Sequence, residues 1–364
     1  MNHESTPLPS LPLTADHCVT RVLIVGAGPI GMELAVALKR RAIPFEIVDA
    51  GTIGQTIRWW APQTRWFSSN ERIAIAGVPL LTIDQSKATR EDYLTYLRGI
   101  ASQFDIRVRS FEPVVDIKHR DAGFTVKTTP TSGANTIDCQ AIVLASGGTD
   151  FPRRLQVPGE DLPHVDGYLR EPHRYFGRRV LILGGRNSAV EAALRLHHAG
   201  AQVSLSYRGP ELPADGIKYW LLPEIRGLCE AGRITAYLGT RAIEITQQQV
   251  TLQSTTNHDT IEVPADDVLS LIGYEQSKTL FERAGVERLD TSQRPRFDSA
   301  TMETNVAGIY VAGTAVAGTQ NSRYKIFLEN CHEHIDKIVA HLSGETAQVA
   351  PARFEQQITA QPES

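Results

Sequence analysis

Val22-Leu-Ile-Val-Gly-Ala-Gly-Pro-Ile-Gly31 begins with four apolar residues, turns through its glycines and continues into a helix-forming run. The pattern returns 158 residues later, without a gap, as Val180-Leu-Ile-Leu-Gly-Gly-Arg-Asn-Ser-Ala189. Four apolar residues predict a buried parallel strand, and a glycine lets the chain turn sharply into a helix whose N-terminus faces a phosphate. The repeat therefore predicts an α/β chain with two Rossmann-like dinucleotide-binding domains.

The first copy carries a full glycine fingerprint. Gly26, Gly28 and Gly31 are spaced for a tight turn and close helix packing, and Asp49 ends the next strand, where a carboxylate binds ribose hydroxyls. The alternative is an ordinary turn between a core strand and a core helix. The predicted contacts of the first dinucleotide are Gly26, Gly28, Pro29, Ile30, Gly31, Asp49 and Ala50.

The second copy differs in the residues that would touch a nucleotide. Arg186 replaces a glycine, and its guanidinium either binds phosphate or is a solvated surface charge. Tyr207-Arg208 replaces the acid, which favours NADP(H) over NAD(H) because a cation suits a 2′-phosphate. The predicted contacts are Gly184, Gly185, Arg186, Asn187, Ser188, Ala189, Tyr207, Arg208 and, as a helper, Lys218.

Composition limits the partners. The chain has 364 residues with 41% hydrophobic content, enough for two cores, and its net charge of -4 without a basic run argues against nucleic acid. Residues 1–20 lack a signal-peptide pattern and no apolar run is long enough for a membrane helix, so a cytoplasmic protein without membrane contact is expected. The four cysteines are too scattered for a metal site or a local dithiol.

The two halves share the same order of elements beyond the glycine turns. Alternating residues predict small antiparallel meanders, starting near residues 106 and 234, before each half returns to a buried strand. Pro- and Gly-bearing linkers at 151–160 and near 293–295 predict that the second domain is inserted into the first. The expected division is flexible 1–20, first domain 21–155 and 290–345, second domain 156–289, and flexible 346–364.

This arrangement resembles the two-dinucleotide-binding flavoproteins, in which the first unit binds FAD and the inserted unit binds NADPH. Within them, the chain is similar to the bacillithiol-disulfide reductase family through four blocks. These blocks are Trp66-Phe-Ser-Ser-Asn-Glu-Arg-Ile-Ala-Ile-Ala-Gly-Val-Pro79, Gly184-Gly-Arg-Asn-Ser-Ala-Val-Glu-Ala-Ala193, Tyr207-Arg-Gly209 and Ile326-Phe-Leu-Glu-Asn330. The resemblance implies FAD and NADPH as cofactors, a small electron acceptor and a homo-oligomer such as a homodimer.

The flavin ring is expected against residues 51–70, which hold three of the four tryptophans beside Gln, Thr and Ser. The alternative is an aromatic core cluster between the domains. Gly308-Ile-Tyr-Val-Ala-Gly313 resembles the late FAD motif of these flavoproteins, with Thr314 in place of the usual Asp, and a helix is predicted from about 323 to 342. The predicted flavin-side contacts are Gln55, Thr56, Trp60, Ser68, Ser69, Gly147, Gly313, Thr314, Lys325 and Ile326.

Cys331 is the candidate catalytic thiol because His332 and His334 flank it in sequence. The alternative is a small core residue whose neighbouring imidazoles face elsewhere. The resemblance implies another redox cysteine beside the last glycine of the first turn, but Ile30 stands there.

Three functions follow for a flavoprotein with this sequence. The first is NADPH-dependent reduction of a low-molecular-weight disulfide. The second is a flavin-dependent monooxygenase, since Pro158-Gly-Glu-Asp-Leu-Pro-His164 resembles part of that group's signature. The third is a redox-sensing protein that binds the nucleotides without turnover.

Overall fold

The computed structural model describes residues 17–131, 133–319 and 326–345. The strands are β1 His17–Val25, β2 Phe45–Val48, β3 Val108–Arg109, β4 Val114–Arg120, β5 Gly123–Thr128, β6 Asn135–Leu144, β7 Phe151–Pro152, β8 Val165–Asp166, β9 Arg179–Leu183, β10 Gln202–Tyr207, β11 Thr235–Leu238, β12 Thr240–Ile245, β13 Gln249–Ser254, β14 Thr260–Pro264, β15 Asp267–Ser270, β16 Tyr274–Glu275, β17 Arg288–Leu289, β18 Arg294–Pro295 and β19 Ile309–Val311. The helices are α1 Pro29–Arg40, α2 Gln55–Arg58, α3 Asn70–Ile73, α4 Arg90–Gln103, α5 Asn187–His198, α6 Leu222–Glu230, α7 Thr279–Arg283 and α8 His332–Ser343. Within these ranges no helix is both long and apolar enough to span a bilayer.

The first sheet has the order β3-β2-β1-β6-β5-β4, and β19 pairs with β6. β3, β2, β1 and β6 pair in parallel in that order, and β19 pairs in parallel with the end of β6. β4, β5 and β6 form the antiparallel meander. Residues 17–20 pair with residues 136–139, so the expectation that they are a flexible terminus is wrong. β3 was expected in the meander, but it pairs in parallel with β2.

The second sheet has the order β11-β10-β9-β15-β8 and is parallel throughout. β12, β13 and β14 form a separate antiparallel sheet. β11 was expected in that meander and instead pairs with β10. The predicted fold class, two Rossmann-like units each with a small meander, is confirmed. The alternating apolar residues of β3 and β11 predict half-buried strands, but they do not identify the strand with which each one pairs.

The chain crosses between the domains on two adjacent strands. β7 and β16 pair antiparallel, so the outgoing and returning segments lie side by side. Phe281, Ala284 and Val286 belong to the first core, and Arg283 Nη1 donates to Val114 O at 2.8 Å. The return crossing is therefore at 274–275, and assigning residues up to 289 to the second domain is wrong. The turn near 293–295 is instead a hairpin of β17 and β18 within the first domain.

The C-terminal helix starts later than its sequence pattern predicts. Leu328–Asn330 forms a short 3-10 turn, and α8 begins at His332, about nine residues after the predicted start near residue 323. Lys325 lies outside the described residues, as do residues 1–16 and 346–364. α8 packs its buried face, which includes Ile335 and Ile338, into the first core.

Candidate cofactor and active site

One continuous cavity of about 1590 Å³ reaches from the first glycine turn to the second. Both turns follow the carboxyl ends of central parallel strands, which is where open α/β sheets bind ligands. The cavity is lined by the predicted residues Gly26, Gly28, Pro29, Ile30, Asp49, Ala50, Gln55, Thr56, Trp60, Gly147, Gly184, Gly185, Arg186, Asn187, Ser188, Tyr207, Arg208, Gly313, Thr314 and Ile326. Its lining therefore brings most residues of both predicted nucleotide sites together.

The first turn has a backbone geometry that requires glycine. Gly26 has φ +115°, and a Cβ on it would lie 2.4 Å from Ala145 O. A Cβ on Gly31 would lie 1.9 Å from Gly26 O, so α1 presses directly against the turn. Gly31 itself is buried beneath the cavity lining, while Gly28 faces open space. This is a cradle into which a pyrophosphate fits against the N-terminus of α1.

Asp49 joins the first turn to the end of β2. Its Oδ2 accepts a hydrogen bond from Ala27 N at 2.7 Å, and its Oδ1 accepts one from Gly51 N at 2.7 Å. Burial raises the pKa of Asp49, against the lowering effect of the two amides. Each oxygen of a carboxylate has a second lone pair, so Asp49 can still accept from a ribose hydroxyl.

The second turn repeats the backbone but not the side chains. Gly184 has φ +142°, and a Cβ on it would lie 2.4 Å from Leu271 O. Arg186 is the N-cap of α5, and the Tyr207 ring lies against Gly185, where any Cβ would be 2.4 Å from ring atoms. Ala189 is fully buried and does not line the cavity.

Lys218 is placed differently from its prediction as a nucleotide contact. Its backbone N donates to Asn187 Oδ1 at 2.7 Å, but the residue is not part of the cavity lining. Its Nζ lies 5.7 Å from the centre of the Trp220 ring. The residue therefore positions the first turn of α5 through its backbone rather than adding a cation to the site.

Three tryptophans form the wall on the first-domain side. Trp59, Trp60 and Trp66 line the cavity, while Trp60 and Trp66 are 4.7 Å apart and Trp66 packs 4.5 Å from the buried Tyr93. Trp60 and Trp66 therefore belong both to the cavity wall and to the core cluster, which the sequence presented as alternatives. Beside them, Gln55 accepts a hydrogen bond from Thr52 N at 3.2 Å.

Ser68 and Ser69 do not reach this cavity. Ser68 Oγ donates to Glu329 Oε1 at 2.9 Å, and Ser69 is the N-cap residue of the short helix α3. Their expected hydrogen bonds to the flavin are therefore not supported. Sequence proximity to Trp66 suggested the role, but the chain turns away from the cavity after Trp66.

The Gly313-Thr314 turn is held from beneath by α8. Gly313 N donates to His334 Nδ1 at 3.2 Å, and burial lowers the pKa of His334 to about 4, which keeps the ring neutral and able to accept. Gln276 Nε2 donates to Gly147 O at 2.8 Å and to Ala315 O at 2.9 Å. These bonds fix both flavin-side loops, and neither His334 nor Gln276 was predicted.

Cys331 does not have the environment of a catalytic thiol. It is fully buried outside the cavity lining, its Sγ donates to Phe327 O at 3.1 Å, and burial raises its pKa. His332 faces α1, with Nδ1 2.8 Å from Glu33 Oε2, and His334 faces Gly313. The prediction of a catalytic Cys331 is therefore wrong, because its two imidazoles are committed elsewhere.

Ile30 occupies the position where the resembling family carries its cysteine. It is buried and lies against Gly313, since a Cβ on that glycine would be 3.2 Å from Ile30 Cβ. No cysteine lines the cavity in the described part of the chain. Nor do the described residues contain a group of three or more His, Cys, Asp or Glu that could hold a metal ion.

The sequence missed several residues at the domain crossing. Asp150 lines the cavity, burial raises its pKa to about 6, and its Oδ2 accepts from Ser277 N at 2.7 Å. Tyr168 and Tyr274 stack at 5.7 Å, and Trp59 lies 5.8 Å from Tyr168 across the domains. Asp150 follows a predicted strand end, which was the available signal, whereas the tyrosines lie outside the repeated pattern.

Comparisons with known proteins agree with this geometry. The sequence profile of the pyridine nucleotide-disulphide oxidoreductases matches residues 23–313. The bacilliredoxin reductase Bdr of Bacillus subtilis (strain 168) is 35% identical over 324 residues, which cover 89% of this chain and 97% of that protein. The bacillithiol disulfide reductase structures from Bacillus cereus and Staphylococcus aureus align with TM-scores of 0.84 and 0.83 at 33% and 31% identity, each covering 90% of this chain and 99% of the other.

Proposed function

Because the chain belongs to the pyridine nucleotide-disulphide oxidoreductase family, we propose that it catalyses NADPH-dependent reduction of a low-molecular-weight disulfide of the bacillithiol type. The balanced reaction consumes NADPH, one proton and the disulfide and produces NADP⁺ and two thiols. The similarity to Bdr across most of both chains supports the acceptor class. The predicted resemblance to the bacillithiol-disulfide reductase family is confirmed.

The chain is an NADPH-dependent flavoprotein oxidoreductase, and its cofactors are FAD and NADPH. When bound, FAD would supply the redox chemistry that connects NADPH to the acceptor, and the residues of the two glycine turns would hold the two nucleotides. We assign FAD to the first turn and NADPH to the second. The observation that carries this assignment is the pair of turns on one cavity, the first with the acid Asp49 and the second with Arg186 and Arg208.

The residues of the first site bind and orient. The Gly26-Gly28 turn presents amides at the N-terminus of α1, Asp49 is placed for a ribose, and Thr314 offers a hydroxyl in place of the usual carboxylate. Trp60 and Trp66 exclude water from their side of the cavity, because they are packed against the first core.

The acceptor must react without a mixed disulfide to the cavity wall, since the described lining contains no cysteine. Cys331 is buried and its thiol is held by Phe327 O. We therefore propose that the disulfide is reduced without a covalent intermediate on the protein. Flavin, when bound, would supply the electron pair, and solvent or a group of the cavity lining would protonate the two product thiolates. Among the carboxylates that line the cavity, Asp150 is our candidate proton donor, because burial raises its pKa to about 6.

An anaerobic half-reaction experiment tests the proposal. NADPH added to the purified yellow protein should bleach the flavin, and bacillithiol disulfide should restore the colour faster than air or a quinone. Cys331→Ser should reoxidise at the wild-type rate. A protein that never bleaches would be the redox-sensing alternative, reoxidation only by air with a long-lived peroxide spectrum would be the monooxygenase, and loss of activity in Cys331→Ser would overturn the thiol-free route.

The proposal also includes a compartment and an assembly. Cys139, Cys229 and Cys331 have free thiols, as expected in a reducing cytoplasm. A homodimer is expected from the family resemblance, and light scattering of the purified holoprotein measures it directly.

A further inference from the structure

We propose that Arg241 is a second specificity residue for NADPH, binding the 2′-phosphate together with Arg208. The proposal rests on the assignment of NADPH to the second glycine turn. It replaces Lys218, which the sequence suggested and the structure places outside the cavity.

The backbone places Arg241 next to Arg208, although the two are far apart in sequence. Gly239 N donates to Gly209 O at 2.7 Å, one residue beyond Arg208. Ser206 Oγ and Thr240 Oγ1 are 2.9 Å apart. The start of β12 is therefore held next to the end of β10, and each arginine lies within two residues of these contacts.

Arg208 and Arg241 both line the cavity, and both residues are exposed. Arg208 makes no side-chain hydrogen bond or ion pair with any other described residue. Arg241 Nη2 donates to Gln253 Oε1 at 3.0 Å, which orients the group. A guanidinium has five N–H donors in a planar fork, so most remain available to a ligand.

The charge of this end of the cavity selects a dianion. The carboxylates among the described lining residues are Asp49, Glu112, Asp150 and Glu275, which lie in the first domain or at the crossing. Around Arg208 and Arg241 the lining adds only hydroxyls, from Ser206, Thr240 and Thr255. A phosphate monoester carries about −1.5 to −2 charge near neutral pH and is well matched by paired arginines.

Tyr207 separates this pocket from the glycine turn. Its ring lies between Gly185 and Gly209, because a Cβ on either glycine would come within about 2.5 Å of ring atoms. The corresponding residue of the first copy is Asp49, which would repel a 2′-phosphate. The ring thus leaves the ribose edge without a competing carboxylate and next to the two cations.

The test compares nucleotides that differ by the 2′-phosphate. Calorimetric binding of 2′,5′-ADP and 5′-AMP to the holoprotein measures the pocket without turnover, and steady-state kinetics with NADPH and NADH measure it during turnover. Arg241→Ala should weaken 2′,5′-ADP about 10- to 100-fold, as should Arg208→Ala, while 5′-AMP binding and NADH kinetics stay within about twofold. Arg241→Lys should lie between wild type and Arg241→Ala because it keeps the charge and loses the fork.

Arg233→Ala is the matched control, since Arg233 is exposed on the same domain and lies outside the cavity lining. It should bind both nucleotides like wild type. Arg241→Ala with unchanged 2′,5′-ADP affinity, or an equal loss for 2′,5′-ADP and 5′-AMP, would overturn the proposal. Failure of NADPH to bleach the flavin would instead overturn the proposed function. The calorimetric comparison of 2′,5′-ADP with 5′-AMP would still test the role of Arg241, because it does not depend on turnover.

Discussion

The two glycine turns have the same backbone and different side chains at the ligand. Gly26 N donates to Val48 O at 2.8 Å and Gly184 N to Ser206 O at 2.9 Å, and α1 and α5 each contain 12 residues in the same register. The differences fall at Gly31 against Ala189, Asp49 against Tyr207, and Gly28 against Arg186. Strand pairing therefore fixes the cradle, and a few side chains decide which nucleotide it accepts.

The largest asymmetry is expected at the last glycine of the fingerprint. In Gly31→Ala the new Cβ would lie 1.9 Å from Gly26 O, a backbone atom that α1 and β1 hold in place. We expect loss of more than about 4 kcal/mol of stability or failure to retain flavin, measured by thermal unfolding and by the flavin-to-protein absorbance ratio. Ala189→Gly, the mirror change, should cost about 1 kcal/mol and keep the flavin. Equal effects in the two copies would refute the difference in helix packing.

The first glycine of each turn should separate the two cofactors. Gly26 and Gly184 both have positive φ, and a Cβ on either would lie 2.4 Å from a carbonyl oxygen, so Ala is strained at each. Gly26→Ala should yield protein with little flavin, whereas Gly184→Ala should stay yellow and resist bleaching by NADPH.

Matched controls isolate the effect of the turns. Gly77 and Gly177 also have positive φ, but a Cβ on either meets no atom within 4 Å. Gly77→Ala and Gly177→Ala should therefore cost about 1 kcal/mol and leave both cofactors bound. If Gly184→Ala loses flavin while Gly26→Ala keeps it, the assignment of the two sites is reversed.

Sequence periodicity could predict the turns because their causes are local. A buried strand, a positive-φ glycine and a helix follow one another within about 20 residues, and the offset between copies holds through α5. The sequence also identified Arg208 from one missing acid. In each case a nearest-neighbour interaction determines the structure.

Other parts of the site depend on contacts between distant segments. Arg241 lines the cavity because Gly239 N donates to Gly209 O. The imidazoles beside Cys331 do not pair with its thiol, because His332 contacts Glu33 and His334 accepts from Gly313 N. The sequence predicts the return crossing near residues 293–295 instead of at β16, because the hairpin of β17 and β18 carries the same Pro-bearing pattern as a linker. No local pattern distinguishes these cases.

A smaller effect is expected in the loop that follows β6 in the first domain. Asp150 in this loop has a folded pKa of about 6, above its ordinary value of 3.8, because it is buried. The folded state thus binds the proton more tightly, so this contribution to stability is complete below about pH 4 and is lost as the pH rises to about 6. Between pH 4 and pH 7 this group should lower the free energy of unfolding of the wild type by on the order of 2 kcal/mol, and Asp150→Asn should abolish that decrease. Urea unfolding at each pH measures both.

Asp121→Asn is the control for this pH dependence, because Asp121 is exposed in the turn between β4 and β5. It should unfold with the wild-type pH profile. An Asp150→Asn variant with the wild-type pH profile would show that Asp150 is ionised as readily in the folded chain as in the unfolded one, which would contradict the raised pKa.

The smallest effect is expected at the position where the second turn departs from the glycine pattern. Arg186 is an exposed N-cap without a side-chain capping bond, so Arg186→Gly restores the residue of the first copy at little cost to stability. Its guanidinium is screened by water, and we expect the KM for NADPH to rise about three- to tenfold. Arg186→Lys should restore most of the wild-type KM.

Two other outcomes would contradict this prediction. A hundredfold rise in the KM for NADPH would place the main phosphate contact at Arg186 rather than at Arg208 and Arg241, and an unchanged KM would make Arg186 a solvated surface charge. Since NADH shares the pyrophosphate, its KM should rise by the same factor in Arg186→Gly, which distinguishes this position from the two arginines that read the 2′-phosphate.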